Sequence, residues 1–245
     1  MMVSIWGLTD RGIVRSNNQD SYAYEATEGG TWGVVCDGMG GANAGDIAST
    51  MAVEQFRGHL EAAGKPRLFQ KEKEGEVLLR AVEEANQAIF EESQRDLDYA
   101  GMGTTLVGML LRGKNLWVVN VGDSRGYLLS QEGIRRITRD HSVVEEMVQR
   151  GELTQEEARH HPQKNLITRA LGTARQVKAD LFRETVEEGE AVLLCSDGLL
   201  CAVTDEEIHQ EFQAGGAPQD ICQRLLERTL SGGAPDNVTI VLLQV

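Results

Sequence analysis

The stretch that constrains this chain most is Val34–Gly41, V-V-C-D-G-M-G-G. Its first three residues are compact and apolar, two of them β-branched, and they read as a buried strand. That strand ends on Asp37, and glycines then stand at 38, 40 and 41. A carboxylate at the mouth of a buried strand is costly unless something offsets its charge. Glycines beside it permit positive φ and let the backbone approach a ligand closely. A hard cation meets both conditions, because it takes oxygen from a carboxylate and from an adjacent peptide carbonyl.

Two further stretches repeat the pattern. Val192-Leu193-Leu194-Cys195-Ser196-Asp197-Gly198 is again an apolar run ending in Asp-Gly, and Ala234-Pro235-Asp236-Asn237 places an Asp in a turn just before the apolar run from Val238. Taken singly, each Asp is better read as a turn residue or helix cap, since Asp-Gly is a common turn signal. Three in one strand-end setting, far apart in sequence, favour a single convergent oxygen-rich metal site.

Composition narrows the class. The chain has 245 residues and a formal charge of −14. No basic stripe is available to neutralise phosphates, which argues against nucleic acid as the main partner. Cys36, Cys195, Cys201 and Cys222 form no C-x-x-C pair, and two of them fall in expected buried strands, the usage of a reducing compartment. No apolar run approaches the roughly 20 residues needed to span a bilayer, and the start of the sequence does not read as a signal peptide. A cytoplasmic protein with no membrane partner is expected, so the glycosylation sequon at Asn237-Val238-Thr239 is set aside.

Strands are expected over 4–9, 21–24, 31–36, 104–111, 116–121, 125–130, 181–186, 191–195 and 238–245. Helices are expected over 44–60, 76–97, 140–162, 219–230 and from a capped start at Thr204-Asp205-Glu206-Glu207. A charged connector covers 64–75. The close spacing of 104–130, with tight turns at 112–115 and 122–124, reads as an antiparallel meander. Strands in runs and helices in pairs point to antiparallel sheets covered by helices, an α+β architecture, rather than a doubly wound parallel fold.

Several tempting motifs fail on physics. Gly38-Met39-Gly40-Gly41-Ala42-Asn43 starts like a dinucleotide fingerprint but lacks its last glycine and its βαβ context. Cys222 and Arg228 have the spacing of cysteine phosphatases, yet the residues between them have no glycine and favour helix. Asp96-Leu97-Asp98 ends a charged helix rather than a buried strand. Ser196 is not on a nucleophile elbow. Arg15 is the informative cation: Arg captures phosphate oxygens bidentately, although it could equally pair with one of the many acids.

Taken in order, Arg15 to Asp20 within R-S-N-N-Q-D-S, Val35 to Gly41, Gly103-Thr104-Thr105-Leu106, Val121-Gly122-Asp123-Ser124-Arg125, Asp140-His141-Ser142, Ile167 to Gly172, Cys195 to Leu199 and Pro235 to Thr239 resemble the metal-dependent Ser/Thr protein phosphatases. This is the type 2C, or PPM, family in its compact bacterial form, and the likeness spans nearly the whole chain. It implies one domain over 1–245 built as a four-layer αββα sandwich, two antiparallel sheets flanked by helix pairs. It also implies a pair of core Mn2+ or Mg2+ ions and a weaker third. Asp37 would bridge the core pair, the Gly38 carbonyl would ligate one ion, and Asp197 and Asp236 the other. Asp20 would act through metal-bound water, Asp123 with Asp197 would hold the third ion, and Arg15 would bind the phosphate. Residues 143–165 would form a flap beside the site. The implied substrates are phosphorylated proteins, in opposition to Ser/Thr kinases, with the chain acting as a monomer.

Two departures stand out. Many eukaryotic members have His where Met39 stands, and Met39 cannot donate a proton, so the leaving group must draw one from elsewhere. Gln19 replaces a frequent acid and drops a charge. Neither touches a direct ligand. The implied chemistry is in-line attack by a metal-bridging hydroxide, with Arg15 and the ions stabilising charge on the phosphoryl oxygens. His141, His160 and His161 are read as structural. A two-metal phosphodiesterase is the chief rival, and the acidic balance weighs against it.

Overall fold

The computed structural model describes residues 3–27, 29–40, 44–63 and 73–245. Gly41 and positions 64–72 of the expected connector lie outside the described residues. In chain order the strands are β1 (Ser4–Asp10), β2 (Asp20–Thr27), β3 (Gly30–Met39), β4 (Gly103–Thr104), β5 (Leu106–Arg112), β6 (Asn115–Val121), β7 (Arg125–Ser130), β8 (Gly133–Arg136), β9 (Asp180–Thr185), β10 (Ala191–Cys195) and β11 (Val238–Gln244). The helices are α1 (Ala44–Ala63), α2 (Glu74–Arg95), α3 (Val143–Gln149), α4 (Gln155–His160), α5 (Asp197–Leu200), α6 (Asp205–Gln213) and α7 (Pro218–Ser231).

One sheet runs β1-β11-β10-β7-β8 and the other β2-β3-β5-β6-β9, with β4 paired beside the end of β3. Every strand pair within them is antiparallel. Side chains alternate across a strand, so one apolar run serves two layers. Val34 joins Phe56, Leu78 and Ile89 beneath α1 and α2, while its neighbour Val35 joins Met109, Leu194 and Val241 between the sheets. Leu193 and Ile240 face the opposite way, toward Ile208 and Leu225 of α6 and α7. Three apolar layers separate four structural layers, which is the αββα sandwich. A Cβ on Gly108 would lie 2.6 Å from Phe56 Cζ, so that glycine is what lets the ring press onto the sheet.

The structure corrects four readings. The expected meander is not one: β5 and β6 pair, but β6 and β7 belong to different sheets, and Gly122-Asp123-Ser124 carries the chain across. The helix expected over 140–162 is two short helices, interrupted where Gly151 adopts φ +72°. Ser142 caps the first and Thr154 the second, and Asp140 and His141 lie before both. The edge strand β8 and the single-turn α5 that begins on Asp197 were not anticipated.

Candidate metal centre

Asp20 and Asp37 face each other across β2 and β3, which puts two carboxylates side by side at one sheet end. The backbone of Asp37 is held from the β4–β5 junction: the Thr105 hydroxyl accepts its N–H at 3.0 Å, and the Thr105 N–H and Thr104 hydroxyl donate to its carbonyl at 2.8 and 2.9 Å. Asp197 enters from the other sheet at the start of α5, and its carboxyl lies within hydrogen-bonding reach of Asp37. Asp236 precedes β11 and accepts from Arg15 Nη2 at 2.7 Å. Asp123 sits in the turn that crosses between the sheets.

Glycine follows two of these acids because backbone abuts it. A Cβ on Gly38 would lie 2.0 Å from the Gly45 carbonyl oxygen, and one on Gly198 only 1.9 Å from that of Asn237. Neither residue has positive φ. The tight contact carries α1 onto the end of β3 and α5 onto the start of β11, so the glycines work through space rather than through conformational freedom.

Electrostatics make this a strained collection of acids. Burial pushes the Asp37 pKa well above the ordinary value, and the charges of Asp20 and Asp197 add to the rise. Asp197 is raised by burial and then by Asp236. Asp123 is pushed up to about 8 by burial, then by Asp197 and Asp140. Asp20 is raised to about 6 by burial, against the opposing pull of two hydroxyls. Those are Ser196 Oγ and Thr239 Oγ1, each donating to Asp20 Oδ2 at 2.7 Å. Its other oxygen, Oδ1, is buried with no hydrogen-bond partner, as is Asp197 Oδ1.

The donors suit a hard divalent cation. All are oxygens, two of them are buried and unpaired, and cation binding relieves the mutual repulsion of the carboxylates. No three His, Cys, Asp or Glu side chains among the described residues close into a single-ion cage. The fit rests on donor chemistry and on the two orphaned oxygens.

The structure therefore gathers Asp20, Asp37, Gly38, Asp123, Asp197, Asp236 and Arg15 around the facing ends of the two sheets. Arg15 is half exposed and already paired with Asp236, whose hydrogen bond and then charge raise its pKa. Sequence reasoning missed the residues that hold these in place. Ser196 was weighed for a role of its own only as a nucleophile, and Thr239 was named only within a motif and a glycosylation sequon. Asn237 organises the Arg15 loop: its amide donates to the carbonyls of Arg11 and Asn17, both at 2.9 Å, and its oxygen accepts from the Gln19 N–H at 2.9 Å. A buried-strand boundary written Pro-Asp-Asn was the signal available, because Asn favours such backbone bonding in loops.

The family profile described as Protein phosphatase 2C matches residues 13–229. The serine/threonine phosphatase stp of Listeria monocytogenes serotype 4b is 36% identical over 239 residues, covering 96% of this chain and 93% of that protein. Among solved structures, the serine/threonine phosphatase Stp1 of Staphylococcus aureus superposes with a TM-score of 0.92 at 34% identity, covering 100% of this chain and 96% of that one. The catalytic domain of the serine/threonine protein phosphatase PstP, solved with 2 manganese ions, gives 0.83 at 36% identity, covering 99% and 97%. With its layers, its convergent acids and these likenesses together, the chain belongs to the protein phosphatase 2C family and is a serine/threonine phosphatase.

Proposed function

We propose that the cleft hydrolyses phosphoserine and phosphothreonine in proteins with the help of Mn2+ or Mg2+. Asp37, the Gly38 carbonyl, Asp197 and Asp236 would hold the core pair of ions, and Asp123 with Asp197 a weaker third. The observation that carries the reading is the pair of buried, unpaired carboxylate oxygens, Asp20 Oδ1 and Asp197 Oδ1, inside a cluster of acids that raise one another. Bound divalent ions supply Lewis acidity there, lowering the pKa of water and offsetting charge on phosphoryl oxygens.

The chain's own groups do the rest. Ser196 and Thr239 fix Asp20 through Oδ2, which leaves Oδ1 aimed to accept a hydrogen bond from water. Arg15 spends Nη2 on Asp236 and keeps further N–H donors for the phosphoryl oxygens. Arg15 is thus placed beside the acids without being buried by them. Met39 gives no proton, so the leaving oxygen draws its proton from another source. The buried cysteines Cys195 and Cys222 have thiol pKa values pushed up to about 12 by burial, which suits an attack on phosphorus that forms no thiol intermediate.

The wider setting follows from the same reading. Residues 1–245 act as one catalytic domain, with 143–165 as a flap beside the cleft. The enzyme works as a cytoplasmic monomer on phosphorylated proteins, including a Ser/Thr kinase and its substrates. Among the described residues no helix is long and apolar enough to cross a membrane.

Hydrolysis of p-nitrophenyl phosphate and of a phosphothreonine peptide tests this. Activity is expected to vanish in EDTA and return with Mn2+ or Mg2+, while bis(p-nitrophenyl) phosphate is left intact. Full activity in metal-free protein overturns the metal assignment, and preferred cleavage of the bis-ester moves the chain to the phosphodiesterases.

A further inference from the structure

The crossing turn Gly122-Asp123-Ser124 is gripped from two sides. On one, Ser124 Oγ and Thr105 Oγ1 share a hydrogen bond of 2.7 Å, and Thr105 in turn holds Asp37. On the other is His141, a buried residue that the mechanism above does not use. Its Nδ1 accepts the Gly122 N–H at 3.1 Å, and its own backbone N–H donates to the Gly122 carbonyl at 2.9 Å. One residue therefore holds both polar groups of Gly122. Gly122 has φ +108°, and a Cβ there would meet the Thr105 side chain at 2.6 Å, so the turn has little room to shift.

A neutral imidazole that accepts on Nδ1 carries its hydrogen on Nε2. Nε2 lies 3.3 Å from Asp180 Oδ2, so a carboxylate faces the side of the ring that carries this hydrogen. Arg169 Nη1 lies 3.1 Å from Nε2 and 3.2 Å from Asp180 Oδ1, and with Nε2 occupied by hydrogen it donates to the carboxylate. Burial, followed by the nearby Arg169 charge, lowers the His141 pKa, which keeps the ring neutral and its donor and acceptor sides fixed. The base of the 143–165 segment is tied to the same residue. Thr168 N–H donates to the His141 carbonyl at 2.7 Å, Ser142 bridges Ile167, and the Val143 N–H donates to the Leu166 carbonyl at 2.9 Å.

We propose that His141, oriented by Asp180, is a positioning residue that places Asp123 and couples it to the base of the 143–165 segment. Ion affinity at Asp123 and order at that base then change together. The proposal rests on the reading of Asp123 as a ligand of the weaker ion.

Calorimetric Mn2+ titration and amide hydrogen exchange on the whole chain test it, with His141→Leu and Asp180→Ala each made alone and with Asp123→Ala. In His141→Leu the tight Mn2+ binding is expected to persist, while the weak event loses affinity by about tenfold, the usual scale for groups that orient a ligand. Exchange at the Val143 and Thr168 amides, slowed by Mn2+ in the unaltered protein, stops responding. With Asp123→Ala already present, His141→Leu changes metal binding no further. Unaltered weak binding in His141→Leu, or an equal loss in the Asp123→Ala background, overturns the proposal. Should His141→Leu fail to fold, Asp180→Ala decides: weakened weak binding at an unchanged melting temperature supports it, and unchanged affinity overturns it. An unaltered protein with no Asp123-dependent binding event refutes the ligand reading itself, a result distinguishable from failure of the coupling alone.

Discussion

A cation among carboxylates can serve as their counter-ion or as a handle for substrate; Arg15 is the first through Asp236 and is proposed as the second. Its pairing with Asp236 uses Nη2, at a side chain that is 53% exposed. Arg15→Ala is expected to raise KM for phosphoesters by about tenfold, the scale of one charge-assisted hydrogen bond, with the bound Mn2+ unchanged. Steady-state kinetics beside metal analysis check this, and lost Mn2+ at an unaltered KM assigns Arg15 to Asp236 alone. The acids themselves were legible in the sequence. A charged residue ending an apolar run conflicts with its surroundings, and such conflicts mark sites. Ser196, Thr239 and Asn237 were not, because a hydroxyl or amide is at home in any turn. Their partners lie far along the chain, and only the assembled sheets bring Thr239 to Asp20.

Elements were legible where their period was strong and obscure where a turn decides. Residues 140–162 show an apolar stripe at Val143, Val144 and Met147, which suits α3, but nothing in the charge pattern registers the left-handed backbone at Gly151. A hairpin and a crossing between sheets both use Gly-Asp-Ser, so the step from β6 to β7 was read as pairing. Strand β8 was hidden by its charges. Arg136 reaches Asp140 and Glu145, and Arg135 pairs with Glu184, so an edge strand is covered by ion pairs instead of apolar contacts. The junction of α5 with β11 gives the sharpest element-level expectation. Gly198→Ala forces a methyl against the Asn237 carbonyl, where backbone on both sides prevents easy relief. A destabilisation of about 1–3 kcal/mol is expected, as for other overpacked sites, with loss of most turnover because Asp197 moves with α5. Thermal unfolding and p-nitrophenyl phosphate assays would register it, and unchanged values in both would show that the junction yields.

At the scale of the molecule, the acidic centre works against folding until a cation arrives. Asp20 and Asp123, with pKa values of about 6 and about 8, both exceed the unfolded value of about 3.9 for an aspartate. The folded state thus binds more protons than the unfolded one between those limits, and stability falls as pH rises through them. In EDTA, urea unfolding is expected to show stability declining from about pH 5 to about pH 9, and Mn2+ to remove that decline. Stability that climbs over the same range without metal contradicts the assignment. Antiparallel sheets covered by helices were readable because strands come in runs and helices in pairs, while the four-layer plan came from the family resemblance. The strand order was not, since no local signal says that β11 lies between β1 and β10. That order has a consequence in time. Synthesis delivers Asp20 and Asp37 early, but Asp236 and the strand that seats it emerge some 200 residues later, a delay on the order of ten seconds or more at ribosomal speed. Until β11 inserts, the loop bearing Arg15 has no Asn237 to hold it and Asp20 has no Thr239. The centre of this domain therefore stays incomplete until β11 is paired, and catalytic competence is expected only from that point.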